Sequence, residues 1–564
     1  MAYLAYSSPE EEYLIERTKV SPKVSPDRLI YSLFKTIEPN ADKEKFLVEF
    51  HTIATDMQDV NIGISLYDLF TREEMEAVYQ ANCTRMWICN GLCEGNGGIP
   101  QLSTESLWND IVEKADLALS QGKPIANLRF GHDSCLYRLL TLWGLYTNNQ
   151  HLDEIIPMGA NVQLVFYRSP QHEKVLVKVL HNEQEMQLPM EAEIGCFYDW
   201  NKMKQMVANR LHDFRQSKHI SMVNTMVGTA PSIIKNASIY GKNTELLGQT
   251  LPAVLVPNGM NFWTPQTRAT EKKCIAPYYY NDTKWQGFRN SHWIVGGCTQ
   301  DYGSVTLMPQ FRILRKDADT RATSFTHTDE ISTPYYYSVV LPEQHLTAEM
   351  TGTSRAAIFR FTYEQRGDAF LLVEVNSDEN EAIIHVNAEK GMIEGSNPVH
   401  RIYQGWGESA GFAGHFVIQL KDKKCTSYGV EGNYAWLKFH VEENEQVLVK
   451  MASSFCDVEG AKQNLYAEIP LWDFNLTKAE LKSTWQKHLS VVEAESEDIT
   501  LLHKFYTALY HTSFLPHAFN DVDGRYPAFA NAQTQLNRID SGKVHYMDYS
   551  MWDTYRALHP LLNL

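Results

Sequence analysis

Residues 434–451 read YAWLKFHVEENEQVLVKM. Ala435, Leu437, Phe439 and Val441 alternate with Trp436, Lys438 and His440, the period of two that puts one side of a strand in a core and the other in solvent. A Glu-Glu-Asn-Glu turn follows, and then Val447, Val449 and Met451 resume the alternation. The stretch 356–386, AAIFRFTYEQRGDAFLLVEVNSDENEAIIHV, repeats the pattern in three short runs separated by polar turns. Such texture, sustained from Ser221 over about 250 residues, predicts a large antiparallel β-sandwich.

The flanks differ. Beyond Pro470 the period lengthens to that of a helix, with Leu501, Leu502, Phe505 and Leu509 on one face, a cap at Asp498 and a stop at Pro516. Ahead of the sandwich, helix and strand are mixed. Residues 103–122 carry Leu107, Ile111, Ala115 and Leu119 at helical spacing before Gly122. Residues 161–168 and 175–180 read as strands, and 199–216 as a helix. A chain of 564 residues at about 150 per domain accommodates three to four domains.

Composition excludes several classes. With 44% hydrophobic and 21% charged residues the chain is not predominantly disordered. Lys and Arg total 51 against 68 for Asp and Glu, so the net charge is 51 − 68 = −17, which disfavours nucleic acid and anionic lipid as partners. No apolar run reaches the roughly 18 residues of a membrane helix, and the acidic residues at 10–12 stand where a signal peptide would carry its apolar core. Cys83, Cys89 and Cys93 have neither zinc-ribbon nor redox spacing.

Two constellations carry chemistry. The first is the adjacent His132 and Asp133, expected between a short apolar strand and a helix, where an imidazole can hold an anionic oxygen and a carboxyl can protonate a leaving group. The surrounding segments TREEMEAVYQANCTRMWICNG (71–91), LRFGHDSCLYRLLTLWGL (128–145), NVQLVFYR (161–168) and FYDWNKMKQMV (197–207) resemble the second half of the histidine acid phosphatases, especially the multiple inositol-polyphosphate phosphatase branch. The resemblance covers residues 1–216 and implies an α/β fragment in which His132 contacts phosphate and Asp133 protonates the leaving alcohol. The nucleophile of that family sits in an Arg-His-Gly-x-Arg motif, which does not occur in this sequence. A phosphohistidine cannot form without it.

The second constellation spans GFRNSHWIVGGCTQDYGSVTLMP (287–309), with His292 and Trp293 beside a Gly-rich turn, and YSMWDTYRALHPLL (549–562), with Trp552, Asp553 and Arg556 on one helical turn. Asp521 and Asp523 in NDVDGRYPAF lack the further ligands of an EF-hand and read as an Asp-Gly turn. Together with VNTMVGT (223–229), QTLPAVLVPNGMNFWTPQT (249–267), SSFCDVEGAKQNLYAEI (453–469) and FYTALYHTSFLPHAFNDVDGRY (505–526), these segments resemble glycoside hydrolase family 92 in content and order.

That resemblance implies a β-supersandwich at 221–480 followed by the first helices of an (α/α)6 barrel at 481–564. It implies a calcium-dependent, inverting exo-α-mannosidase that acts on mannose-containing glycans, in a secreted or periplasmic bacterial setting. Trp552 and Asp553 match sugar-binding positions, Arg556 supports them, and His292 and Trp293 are further substrate-contact candidates. The family's catalytic acid, base and most Ca2+ contacts follow the Trp-Asp-x-x-Arg segment, so none is assigned to a residue here. Where many members read Pro-Phe-Gly-Met, this sequence has Pro257, Asn258, Gly259 and Met260. Two other readings stand beside this one: a phosphatase acting on inositol polyphosphates or another phosphate ester, and a carbohydrate-binding protein without catalysis.

Overall fold

A computed structural model of the chain describes residues 22, 24–36, 42–57, 63–92, 98–122, 126–146, 156–157, 159–168, 174–231, 248–268, 275–297, 299–377, 379–400, 408–528, 535–549, 554 and 557–563. It divides into two compact units, Met1–Ser221 and Met222–Leu564.

The first unit packs helices Glu105–Gln121, Asp133–Leu142 and Trp200–Ser221 with an antiparallel pair, Val162–Arg168 and Val175–His181. Gly122, at φ +64°, ends the first of these helices in the left-handed conformation that glycine adopts without strain. The core gathers Trp108, Trp143 and Trp200 with Val177, Val179, Met203 and Val207. Trp108 lies edge-on to both other indoles, and Trp200 donates to Asp116 at 2.6 Å. The apolar strand expected before His132 is not formed. Leu128 and Phe130 are 78% and 95% exposed and belong to no strand among the described residues. Alternation alone does not make a strand when nothing lies alongside to accept its hydrogen bonds.

The second unit is a sandwich of two antiparallel sheets. The larger runs, in spatial order, through Glu330–Thr333, Tyr336–Leu341, Leu346–Gly352, Ala356–Tyr363, Glu445–Ser454, Ser409–Leu420, Met392–His400 and Ile383–Asn387. The smaller runs through Ser427–Glu431, Tyr434–Val441, Gly367–Val375, Val305–Phe311, Gly287–Ser291 and Phe262–Gln266. Ala435, Leu437, Phe439 and Val441 are buried, as their alternation requires. The short turn after them is not a hairpin: Tyr434–Val441 belongs to the smaller sheet and Glu445–Ser454 to the larger, so the chain changes layers there. Phe288 links the layers, its ring 5.4 Å from Phe359 and 5.8 Å from Tyr337.

Helices Val458–Glu468, Phe474–Leu489 and Ile499–Thr512 follow, each with an Asp side chain capping its first turn: Asp457, Asp473 and Asp498. The last helix buries a stripe shifted by one residue from the expected one. Leu502, Tyr506 and Tyr510 face inward, while Leu501 is 53% and Phe505 39% exposed. The tyrosines are buried because their hydroxyls reach backbone carbonyls, Tyr510 that of Ala253 at 2.7 Å and Tyr506 that of Val492 at 3.1 Å. Trp485 similarly donates to the Leu255 carbonyl at 2.7 Å, fastening the second helix to a sandwich loop.

Candidate functional site

Strand Gly287–Ser291 runs into the loop that carries the Gly-rich motif. Its base is an ion pair between Arg289 and Asp301 at 2.8 Å, both side chains fully buried. The second Asp301 oxygen accepts from the backbone of His292 at 2.8 Å and of Tyr302 at 2.9 Å, so the charge is paired and its remaining lone pairs are occupied. Arg289 also donates to Ser304 at 2.7 Å.

His292 lies wholly inside this loop. Nδ1 faces the Tyr302 carbonyl at 2.7 Å and Nε2 the Asn261 side-chain oxygen at 2.8 Å. Burial pushes its pKa down to about 4, so at neutral pH the uncharged ring donates to one of these oxygens at a time. Trp293 is equally enclosed and donates to the Thr299 carbonyl at 3.1 Å. Both side chains are fully buried in this structure and shape the loop from inside.

The residue of this motif that reaches outward is Tyr302. Its ring packs over His292 and against Phe455, and its hydroxyl donates to Asp548 at 2.7 Å. The same Asp548 oxygen lies 2.9 Å from Nδ1 of His517. Because a carboxylate accepts there, Nδ1 bears a proton, and Nε2 is a buried atom without a hydrogen-bond partner among the described residues. Asp548 adopts φ +62°, and the short pairing of His517–Ala518 with Tyr546–Met547 holds the two segments together. Met260, Phe455 and Phe519 complete an apolar cluster around Tyr302.

The departure at Asn258 has a structural reason. Asn258 sits at φ +56°, donates from its backbone to the Ser513 carbonyl at 2.7 Å and from its side chain to the Pro516 carbonyl at 3.0 Å. Asn tolerates the left-handed region better than Phe does. The loop thereby clamps the chain that leaves helix Ile499–Thr512 toward His517.

Asp521 and Asp523 form the expected turn, with Gly524 at φ +86°. Asp521 is fully buried and accepts from Ser454 at 2.7 Å and Asn464 at 2.8 Å; burial pushes its pKa up. Arg525 binds Asp457 and Asp523, each at 2.6 Å, and stands 4.0 Å from Asp521. A guanidinium thus occupies the centre of the three carboxylates, and the donor set does not fit calcium. Among the described residues no group of three or more His, Cys, Asp or Glu side chains is arranged to hold a metal.

Trp552, Asp553 and Arg556 lie outside the described residues. Of the described residues beside them, Thr554 meets His559 at 3.0 Å, and Asp548, four positions before Trp552, is held by Tyr302 and His517. Sequence reading did not single out Tyr302, His517 and Asp548 as a group, although Tyr302 lay in the quoted motif; they are separated by up to 246 positions, and no spacing rule joins them. In the first unit, His132 and Asp133 are both exposed. Asp133 opens its helix and accepts from the Ser134 backbone at 2.7 Å, while His132 precedes it without a side-chain cap bond.

The two-sheet sandwich followed by capped helices matches known families. Residues 222–454 match the glycosyl hydrolase family 92 N-terminal domain and residues 460–564 the glycosyl hydrolase family 92 catalytic domain. From Met222 onward the chain belongs to glycosyl hydrolase family 92. Among solved structures it is similar to the family GH92 inverting mannosidase BT2199 from Bacteroides thetaiotaomicron VPI-5482, at 28% identity and a TM-score of 0.52, over 61% of this chain and 46% of that one. It is also similar to the GH92 alpha-mannosidase BT3965 from Bacteroides thetaiotaomicron, at 25% identity and a TM-score of 0.51, over 62% and 47%. BT3965 has also been solved in complex with mannoimidazole. The chain spans less than half the length of these structures. No curated protein matches it. The family matches begin at residue 222, so a phosphatase-like first unit gains no support from them.

Proposed function

We propose that this chain supplies the sandwich and first helices of an exo-acting, inverting α-mannosidase that removes terminal mannose from glycans. The observation that carries the reading is the pair of consecutive family 92 domains across 222–564, together with similarity to two mannosidases, one of them solved with mannoimidazole. In this reading Trp552 and Asp553 bind the terminal sugar, and Arg556 supports them. The Tyr302–Asp548–His517 contacts position the strand that leads into that segment.

Inversion uses one carboxylic acid to protonate the leaving oxygen and one carboxylate to activate water, about 6.5–9.5 Å apart. The described residues provide no such pair by family correspondence, and the proposal places acid, base and Ca2+ ligands outside them. Calcium would orient sugar hydroxyls and offset charge at the site. A secreted or periplasmic setting belongs to the same proposal; no helix among the described residues is long and apolar enough to cross a membrane.

The test is mannose release from α-1,2-linked mannobiose by the protein expressed from its complete gene, with and without EGTA. Chelator-sensitive release of β-mannose supports the proposal, and release of α-mannose contradicts inversion. For the first unit no activity is proposed: His132 and Asp133 stand exposed, and the sequence has no Arg-His-Gly nucleophile motif.

A further inference from the structure

At one edge of the larger sheet, strands Ile383–Asn387, Met392–His400 and Ser409–Leu420 lie side by side, and helix Val458–Glu468 packs against the last two. Two cavities, of about 180 and about 490 Å3, adjoin here, since Lys390 and Gln419 line both. The larger is within the size range of small-ligand sites.

Aromatic rings stand in both parts of this trough. Tyr466, 52% exposed, lines the larger cavity from the helix, and half-buried Trp472 lines the smaller. The Trp472 indole is held from one side by the Lys450 ammonium, 4.3 Å from the ring centroid. Lys450 is in turn fixed by donating to the Ile469 carbonyl at 2.7 Å. Gln419 and Asn387 add amides that both donate and accept.

The lining mixes both signs of charge. Four lysines and three carboxylates face the two cavities. Lys462 is held by Glu394 at 2.9 Å, and Lys423 by Glu445 at 2.5 Å. With a net of one positive charge and two of its lysines held by carboxylates, the trough offers only a weak field to attract a phosphate, sulfate or uronate. It offers apolar ring surface beside mixed donors and acceptors, which suits a ligand with aliphatic C–H faces and many uncharged hydroxyls.

We propose that this trough is an ancillary binding site for a neutral oligosaccharide, sharing no residue with the segment that carries Trp552 and Asp553. The choice of mannan as first probe and the processing of the held glycan rest on the mannosidase reading; the binding itself does not. The site would hold a polymeric glycan on the sandwich while another part of it is processed.

Native affinity electrophoresis of the whole chain tests this, in gels containing α-mannan, β-glucan or dextran sulfate. The wild type should be retarded by α-mannan and not by dextran sulfate. Tyr466→Ala, Gln419→Ala and Trp472→Ala should each weaken retardation at least fivefold. Tyr466→Ala changes an exposed side chain, so with an unaltered melting temperature its effect reports binding rather than folding. Unchanged mobility of the wild type in both neutral gels overturns the proposal, as does equal retardation of the variants, or retardation by dextran sulfate that the variants abolish. Variant-sensitive binding to β-glucan but not α-mannan upholds the trough and counts against the mannosidase reading. Retention on α-mannan without mannose release from the complete protein contradicts that reading alone.

Discussion

The Tyr302 hydroxyl donates to the Asp548 carboxylate at 2.7 Å, joining a sandwich loop to the strand that precedes Trp552. His517 meets the same oxygen from the opposite segment of the chain. One carboxylate therefore fastens three stretches that are distant in sequence, and what it fastens leads into the proposed sugar-binding turn.

Tyr302→Phe keeps the packing on His292 and removes the hydroxyl, leaving Asp548 with one fewer donor. Loss of a hydrogen bond to a largely buried carboxylate costs about 1.5–3 kcal/mol. The expected result is a lower denaturation midpoint, with mannoside binding by the complete protein weakened as well. A midpoint equal to the wild type's would mean that the Tyr302 contact does not hold the segment.

Asn258 tests the clamp on the chain leaving helix Ile499–Thr512. Asn258→Phe introduces the residue frequent in the family at a backbone φ of +56°, and should destabilise by about 1–3 kcal/mol. Asn258→Gly relaxes the backbone but removes the bond to the Pro516 carbonyl, so it should be the milder change. Chemical denaturation of the two variants checks the order; the reverse order would contradict the backbone argument.

Gly460, in the first turn of helix Val458–Glu468, lies against the Asp521 cluster. A Cβ there would lie 2.3 Å from the Asp521 carboxylate, which Ser454 and Asn464 hold in place. Gly460→Ala should therefore destabilise by about 1–3 kcal/mol despite alanine's higher helix propensity. An increase in melting temperature would show that the cluster yields easily.

Acid should weaken the fold through its buried histidines. Burial pushes the pKa values of His292 and His511 down to about 4. In the unfolded chain a histidine takes up its proton below about pH 6.5, while the folded protein resists until about 4. Stability from these groups is thus present above pH 6.5 and lost as pH falls toward 4, by about 3 kcal/mol for each histidine. His511→Phe removes one of the two, and its denaturation midpoint should fall less between pH 7 and 5 than the wild type's; parallel curves would contradict the assignment.

The sandwich was legible because strand alternation is a local signal: Ala435, Leu437, Phe439 and Val441 announce their buried side without any knowledge of their neighbours. The Asp498 cap was legible for the same reason. What the sequence concealed depends on partners. Leu501 and Phe505 lost the buried stripe to Tyr506 and Tyr510 because distant carbonyls satisfy the tyrosine hydroxyls. Leu128 and Phe130 alternate like a strand but have no strand beside them among the described residues. The full burial of His292 and Trp293 was likewise not legible, since it depends on Asn261 and on the carbonyls of Tyr302 and Thr299. The contact residues carried by the resemblance, Trp552 and Asp553, lie outside the described residues.

The most direct test of the central claim is the anomeric form and calcium dependence of sugar released from α-1,2-mannobiose by the protein expressed from its complete gene, followed by NMR from the first turnover. The account predicts β-mannose that appears with calcium and stops with EGTA. No mannose from a properly folded preparation containing a whole family 92 catalytic domain would contradict it.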